Sequence, residues 1–325
     1  MLMTVGEVGK RIEDGENLHI AGPEALLRRL PTGNWIGGST EYFMSRSGCR
    51  AADDVLSVLS FRDAEISIAT YDEKNIHTVA LDAFDNGFSI VIIPFDCAAH
   101  KVFAEKAIEF EKLLLKNIVG WISGVNLEKT GQTPVSVNGL TGDMSSDKAA
   151  VMHIGLPKNK SVNIGVVNIF LQDEKSPTLE FPESGFTVKK CLVDGKETIF
   201  ADHIARHGIS TTLPLVGNHS ENGVNVSFKS VEDGVVSLYA PVLRGIKYKI
   251  ARIVPGYVEE LLKNARFDHV NPWFACNSIL NFLYGKLNGQ KIGTFVGPIA
   301  FGEIAYNLVN QTLVYVDVRD TEYAI

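Results

Sequence analysis

Residues able to do chemistry are sparse in this chain. Gly37-Gly38-Ser39-Thr40 closes a run of strand-forming residues with four small ones. Their bare backbone N–H groups could cradle a carboxylate or phosphate, with the two hydroxyls as further donors. A tight turn without a ligand calls for the same glycines. Cys276 stands just ahead of a predicted helix. The helix dipole lowers a thiol pKa there and would make the sulfur reactive or ligand-contacting, while the plainer reading is a buried small hydrophobe. His203 and His207 lie four apart beside Asp202. That spacing would put two imidazoles on one helix face as metal or haem ligands, but no further ligand cluster accompanies them, and a solvated helix end is the favoured reading. His153, His219 and His269 stand alone. No G-x-x-x-x-G-K-[ST], H-E-x-x-H or G-x-S-x-G string occurs, so a nucleotide hydrolase, a zincin or an ordinary α/β-hydrolase lacks its signature.

A weak repetition links the two ends. Gly33-Asn34-Trp35-Ile36-Gly37-Gly38 parallels Gly293-Thr294-Phe295-Val296-Gly297-Pro298. An aromatic and an acid follow both, as Glu41 with Tyr42 and as Phe301 with Glu303. Duplicated halves would produce this, and so would chance, because Gly-aromatic-branched-Gly is common at strand ends.

The elements that must position these residues alternate in type. Helical spacing is expected over 4–13, 23–30, 77–85 and 98–110, and strands over 18–21, 35–38, 55–61, 66–70 and 88–93. From 151 to 250 the signals are mainly strands, with the turn pairs Asp194-Gly195 and Asp233-Gly234 and one helix over 199–206. Helices return over 255–265 and 277–287, followed by strands over 292–296 and 312–318. The stretch from Asn126 to Asp147, rich in Gly, Ser, Thr and Asn, reads as a long surface loop or a connection between subdomains. The expected fold is mixed α/β (α+β), with two related subdomains, 1–145 and 146–325, each a mixed sheet flanked by helices.

Composition narrows the partners. The chain has 325 residues, 45% hydrophobic and 21% charged, with a net charge of -7 and no dense basic stripe, so nucleic acid is not an expected partner. No apolar stretch is long enough for a spanning helix and the first residues do not form a secretory signal, so a cytoplasmic protein is expected. Four scattered cysteines fit a reducing compartment.

From Asp233 onward the order of features resembles the C-terminal half of a FIST domain, a sensory module of bacteria and eukaryotes named for F-box and intracellular signal-transduction proteins. The residues carrying the likeness are Asp233-Gly234-Val235-Val236-Ser237-Leu238, Pro241 and Gly245 ahead of the strand 248–253, Phe274-Ala275-Cys276-Asn277, then Gly297, Phe301-Gly302-Glu303-Ile304 and Asn310-Gln311-Thr312-Leu313. Near the other end, Ile36-Gly37-Gly38-Ser39-Thr40 resembles the family's N-terminal strand end, and Leu213-Pro214-Leu215 the segment opening its C-terminal half. The sequence departs from the family at Gly38, where a cysteine is often found, in lacking an arginine soon after Cys276, and at Pro298.

The resemblance implies a cytoplasmic sensor of small molecules, such as an amino acid or a small carboxylate, with haem in a subset of members, acting through a separate signalling partner. In the expected site Gly37, Gly38, Ser39, Thr40 and Tyr42 face Gly297, Phe301 and Glu303 across one cleft with Cys276 at its edge. Glu303 would fix an amino group and amides near Ser39 a carboxylate. The rival is an enzyme of acyl or amide transfer with Cys276 as nucleophile and His269 as base. No metal site is expected.

Overall fold

The computed structural model describes residues 1–218, 224–265 and 272–321. Helix accounts for 17% and strand for 41% of the described residues, arranged as several mixed sheets flanked by helices, so the fold is mixed α/β. No helix among the described residues is long and apolar enough to cross a membrane.

One structural unit occurs three times. In the first, strand Leu18–Gly22 leads through helix Glu24–Leu27 to Trp35–Ser39, which pairs parallel with it. In the second, Gly87–Pro94 leads through helix Ala98–Lys106 to the parallel strand Ile118–Ser123. In the third, Phe274–Ser278 leads through helix Ile279–Tyr284 to the parallel strand Gly297–Ala300. A short hairpin follows each pair, and the chain then returns in a strand antiparallel to the first of the pair: Leu56–Ser60, Ala149–Gly155 and Leu313–Asp320.

The hairpins are exchanged. Tyr42–Met44 of the first unit pairs with Gly297–Ala300 of the third, Ser136–Asn138 of the second with Trp35–Ser39 of the first, and Glu303–Ala305 of the third with Ile118–Ser123 of the second. Each sheet is completed by one outer strand on its return strand: Leu2–Met3, Glu65–Tyr71 and Lys160–Val167. Three six-stranded sheets of identical order result. An apolar core that includes Ala21, Ile36, Ile92, Trp121, Phe274 and Val314 draws on all three. Because every sheet contains strands from two units, hydrogen bonding alone links the units, on top of the burial they share.

The register fixes one equivalent residue in each unit. Gly37, Gly120 and Gly297 lie opposite Val137, Ile304 and Met44 of the lent hairpins. A Cβ at these positions would stand 2.9 Å from the Ile20 carbonyl oxygen, 1.9 Å from that of Val91 and 2.0 Å from that of Ala275. Only glycine admits so close an approach of the paired parallel strand. The closing glycines of the two repeated strings are thus at equivalent places, although Trp35-Ile36 is strand and Phe295-Val296 is not, and Asn117-Ile118-Val119-Gly120 is the third copy. The expected halves, 1–145 and 146–325, do not coincide with these units, and residue 145 marks no break in strand pairing: Ala149–Gly155 belongs to the sheet of Glu65–Tyr71 and Gly87–Pro94.

Between Lys160–Val167 and Phe274–Ser278 the third unit carries an insertion. A six-stranded sheet runs from Lys196–Ile199 to Val224–Val226, beside a three-stranded one centred on Val235–Val242, with helices Phe200–His207 and Tyr257–Asn264. Several expected elements differ. The stretch 77–85 holds only the single turn Ile76–Thr78. The helix from Ala98 stops at Lys106, and 277–287 is helical only over Ile279–Tyr284. The expected strand 292–296 is a turn with Gly293 at φ 52°. The expected loop 126–147 contains the hairpin Ser136–Asn138/Asp143–Ser145.

Candidate functional site

The carboxyl ends of the parallel strands of all three units meet, the location where open α/β sheets place ligands. Thr40 donates its hydroxyl to the Ile299 carbonyl at 2.8 Å and its N–H to the Gly22 carbonyl at 3.0 Å. Ser39 donates its hydroxyl to Gly124 O at 2.8 Å and accepts Val135 N–H on the same oxygen at 2.9 Å. Phe301 stacks near Phe95, ring centroids 5.6 Å apart, and packs so closely on Gly124 that a Cβ there would sit 2.0 Å from the ring. The two glycine strand ends expected to face each other are therefore neighbours.

Beside the first of them, and not between the two, lies a cleft lined by Pro23, Ser39, Thr40 and Glu41 of the first unit and by Gly124 and Asn126 of the second; Gly297, Phe301 and Glu303 do not line it. As it stands it measures about 20 Å³, room for about one water molecule. Of the two acids that line it, Glu24 pairs with Arg28 on its own helix and Glu41 is only 4% exposed. Glu41 Oε2 accepts from Asn126 Nδ2 and Lys129 Nζ, both at 2.7 Å, and Oε1 accepts from Gln132 Nε2 at 3.2 Å. Burial works against the charge of this carboxyl, but the bonds from Lys129, Asn126 and Gln132 outweigh it and hold the group below the usual carboxylate range. Tyr42 supports the same loop, its hydroxyl donating to Asn126 Oδ1 at 3.2 Å and accepting Leu127 N–H at 3.1 Å.

The expected anion cradle is corrected by these bonds. Gly37 and Gly38 are interior strand residues paired on both sides. The amide of Ser39 is used by Val135 O at 3.0 Å and that of Thr40 by Gly22 O, so neither remains for a ligand carboxylate. Gly297 serves strand contact in the same way.

Glu303 does not line this cleft. It is 0% exposed, with Oε2 accepting from Thr312 N at 3.1 Å and from Thr312 Oγ1 at 2.8 Å, while Oε1 has no partner. Burial pushes its pKa up to about 8, against the opposing bonds from Thr312 and Ser278. A neutral, sealed Glu303 does not offer the charged anchor for an amino group that was expected of it. Cys276 is also corrected: it lies inside strand Phe274–Ser278, and Ser278 caps the helix that follows. At 0% exposure its thiol donates to Gly120 O at 3.2 Å, and burial, then the nearby Glu303, push its pKa well above the ordinary thiol value. A thiol so placed is no nucleophile in this conformation. His269, its expected base, and His219 lie outside the described residues.

The rings of His203 and His207 do approach, with centroids 4.6 Å apart. Among the described residues no three His, Cys, Asp or Glu side chains gather to hold a metal ion. His153, which stood alone in sequence, is part of a chain of hydrogen bonds. Its Nδ1 meets Ser89 Oγ at 2.8 Å and its Nε2 meets Tyr71 OH at 3.1 Å, which in turn donates to Asp82 at 2.6 Å. Sequence reasoning also passed over Asn126, Lys129 and Gln132, whose regular spacing of three in a polar loop was the available signal.

No curated protein matches this sequence. A family model described as "Family of unknown function (DUF6976)" matches residues 3–319, a span that takes in all three units and the insertion. The chain belongs to this family.

Proposed function

We propose that the protein is a sensory module of FIST type that binds a small molecule in the cytoplasm and signals through a separate protein partner. The binding site in this reading is the cleft at the carboxyl ends of the parallel strands, and Glu41 is its anchoring acid. The observation that carries the reading is the state of Glu41: a buried, charged carboxylate where the first unit meets the 124–135 loop of the second, its oxygens satisfied by side chains of that one loop. Such a group is a ready partner for a ligand ammonium. With the amides of Ser39 and Thr40 already engaged, an amino-bearing ligand such as an amino acid fits this cleft better than a simple carboxylate. The buried, protonated thiol of Cys276 favours binding over acyl or amide transfer.

A thermal-shift panel of amino acids, amines and small carboxylates on the wild type and on Glu41→Gln tests the reading. At least one amino-bearing compound is expected to raise the wild-type Tm and to lose that effect in Glu41→Gln. A wild type unmoved by the whole panel, or a response retained in full by Glu41→Gln, overturns it.

A further inference from the structure

We infer that Lys129 is a built-in occupant of the ammonium subsite, and that the ligand is a primary alkylammonium that binds Glu41 by displacing Lys129 and lifting the loop that carries it. The inference rests on the cleft being the binding site.

The loop is constructed to pivot. Its two feet are tied to one residue, Gly124 N donating to Ser39 O at 2.9 Å and Ser39 N to Val135 O at 3.0 Å, with the Ser39 hydroxyl bridging Gly124 O and Val135 N between them. Its tip, residues 127–133, is exposed. The polar contacts of 126–132 within the loop are local: Lys129 N to Asn126 O at 3.1 Å, Glu128 N to Asn126 Oδ1 at 2.9 Å and Asn126 N to Gln132 Oε1 at 3.0 Å. What holds the tip down is the set of side-chain bonds to Glu41 together with the Tyr42 hydroxyl.

Of the three donors to Glu41, only Lys129 brings charge. Its Nζ lies 2.7 Å from Glu41 and 3.1 Å from Asp53, whose side chain is 68% exposed. The ammonium thus has a buried acceptor on one side and an exposed one on the other, the contacts a free alkylammonium entering the cleft would make. Because a tethered group competes at high effective concentration, the ligand binds wild type more weakly than it would a chain lacking Lys129. Ligand occupancy and the raised position of the loop become one event, which gives a partner protein something to read.

Chemical rescue tests this. Lys129→Ala removes three methylenes and the ammonium, and n-propylammonium has the shape of what was removed. The Tm of wild type, Lys129→Ala and Glu41→Gln/Lys129→Ala is measured with n-propylammonium chloride and with tetramethylammonium chloride at equal ionic strength. Lys129→Ala is expected to gain about 3 °C with n-propylammonium over tetramethylammonium. Wild type gains less than half as much and the double variant nothing. Equal responses to both cations in Lys129→Ala, or an equal gain in the double variant, overturn the inference. A Glu41-dependent ligand found for the wild type alongside failed rescue would sink the Lys129 inference alone. Ligand responses that Glu41→Gln leaves intact would sink the binding-site reading with it.

Discussion

Glu41 and Glu303 both leave solvent just after a parallel strand of their unit, one in the first unit and one in the third, and they end in opposite states. Glu41 meets three side-chain donors and stays charged, held below the usual carboxylate range. Glu303 meets the amide and hydroxyl of Thr312, keeps one oxygen unpartnered, and is pushed up to about 8. Burial favours the neutral acid in both. The difference is that a loop brings donors to Glu41, whereas Glu303 sits within a strand across from Trp121, whose indole N–H is already given to His19 Nε2 at 2.9 Å. Donor supply and depth together decide whether a buried carboxylate keeps its charge: Glu303 is the more deeply buried and has the fewer donors.

The pH dependence of stability is where the contrast shows most. For Glu303 the folded state holds its proton between the ordinary 4.5 and about 8, so stability falls as pH rises through that window, by ~1.4 kcal/mol per pH unit and on the order of 5 kcal/mol in all. Glu303→Gln, which imitates the neutral acid, is expected to abolish this fall in urea titrations at pH 5 to 9. Identical pH profiles for the two proteins would show that Glu303 is not protonated in the fold. Glu41 works in the other direction: its lowered folded pKa gives stability that is present above the ordinary carboxylate value and lost as pH falls below it.

The three-unit frame behind the comparison is open to test at its glycines. Gly120→Ala and Gly297→Ala place a methyl on a strand carbonyl and are expected to cost about 3 kcal/mol, with Gly37→Ala, where the clearance is 2.9 Å, costing about 1 kcal/mol. A different ranking in chemical denaturation would break the proposed equivalence. Glu41→Ala is expected to cost about 2 kcal/mol at pH 7 and to make the loop 124–135 a site of early proteolysis; a cleavage pattern unchanged from wild type would show that Glu41 does not hold the loop down. The smallest effect belongs to Cys276. Iodoacetamide at pH 7.5 should leave it unmodified in both wild type and Glu303→Gln while free cysteine reacts to completion, and a Cys276 reacting at the rate of free cysteine would restore the thiol-enzyme reading.

Much of the local structure was legible. Thr4 and Glu7 form a capping box on the helix Val5–Glu13, and the strands around Trp35 and Phe88 follow from short apolar β-rich runs. The repeated Gly-aromatic-branched-Gly string was legible too, and it marks equivalent strands. Its third copy has Ile118 where the others have Trp35 and Phe295, so the shared aromatic that drew attention to two copies concealed the other. The hairpins went unseen because they are two or three residues per strand, too short for alternation to register.

The sequence by itself determined the longer strands and several of the helices, because those follow from local periodicity. It also marked Ser39 and Thr40 as a strand end. Only the tertiary structure decided that three units exchange hairpins, that Glu41 and not Glu303 faces the cleft, and that Cys276 is sealed inside. Those outcomes depend on which strand a hairpin joins and on which residues up to 91 positions away supply donors. No local pattern encodes such pairings, since their energy exists only once distant segments are in contact.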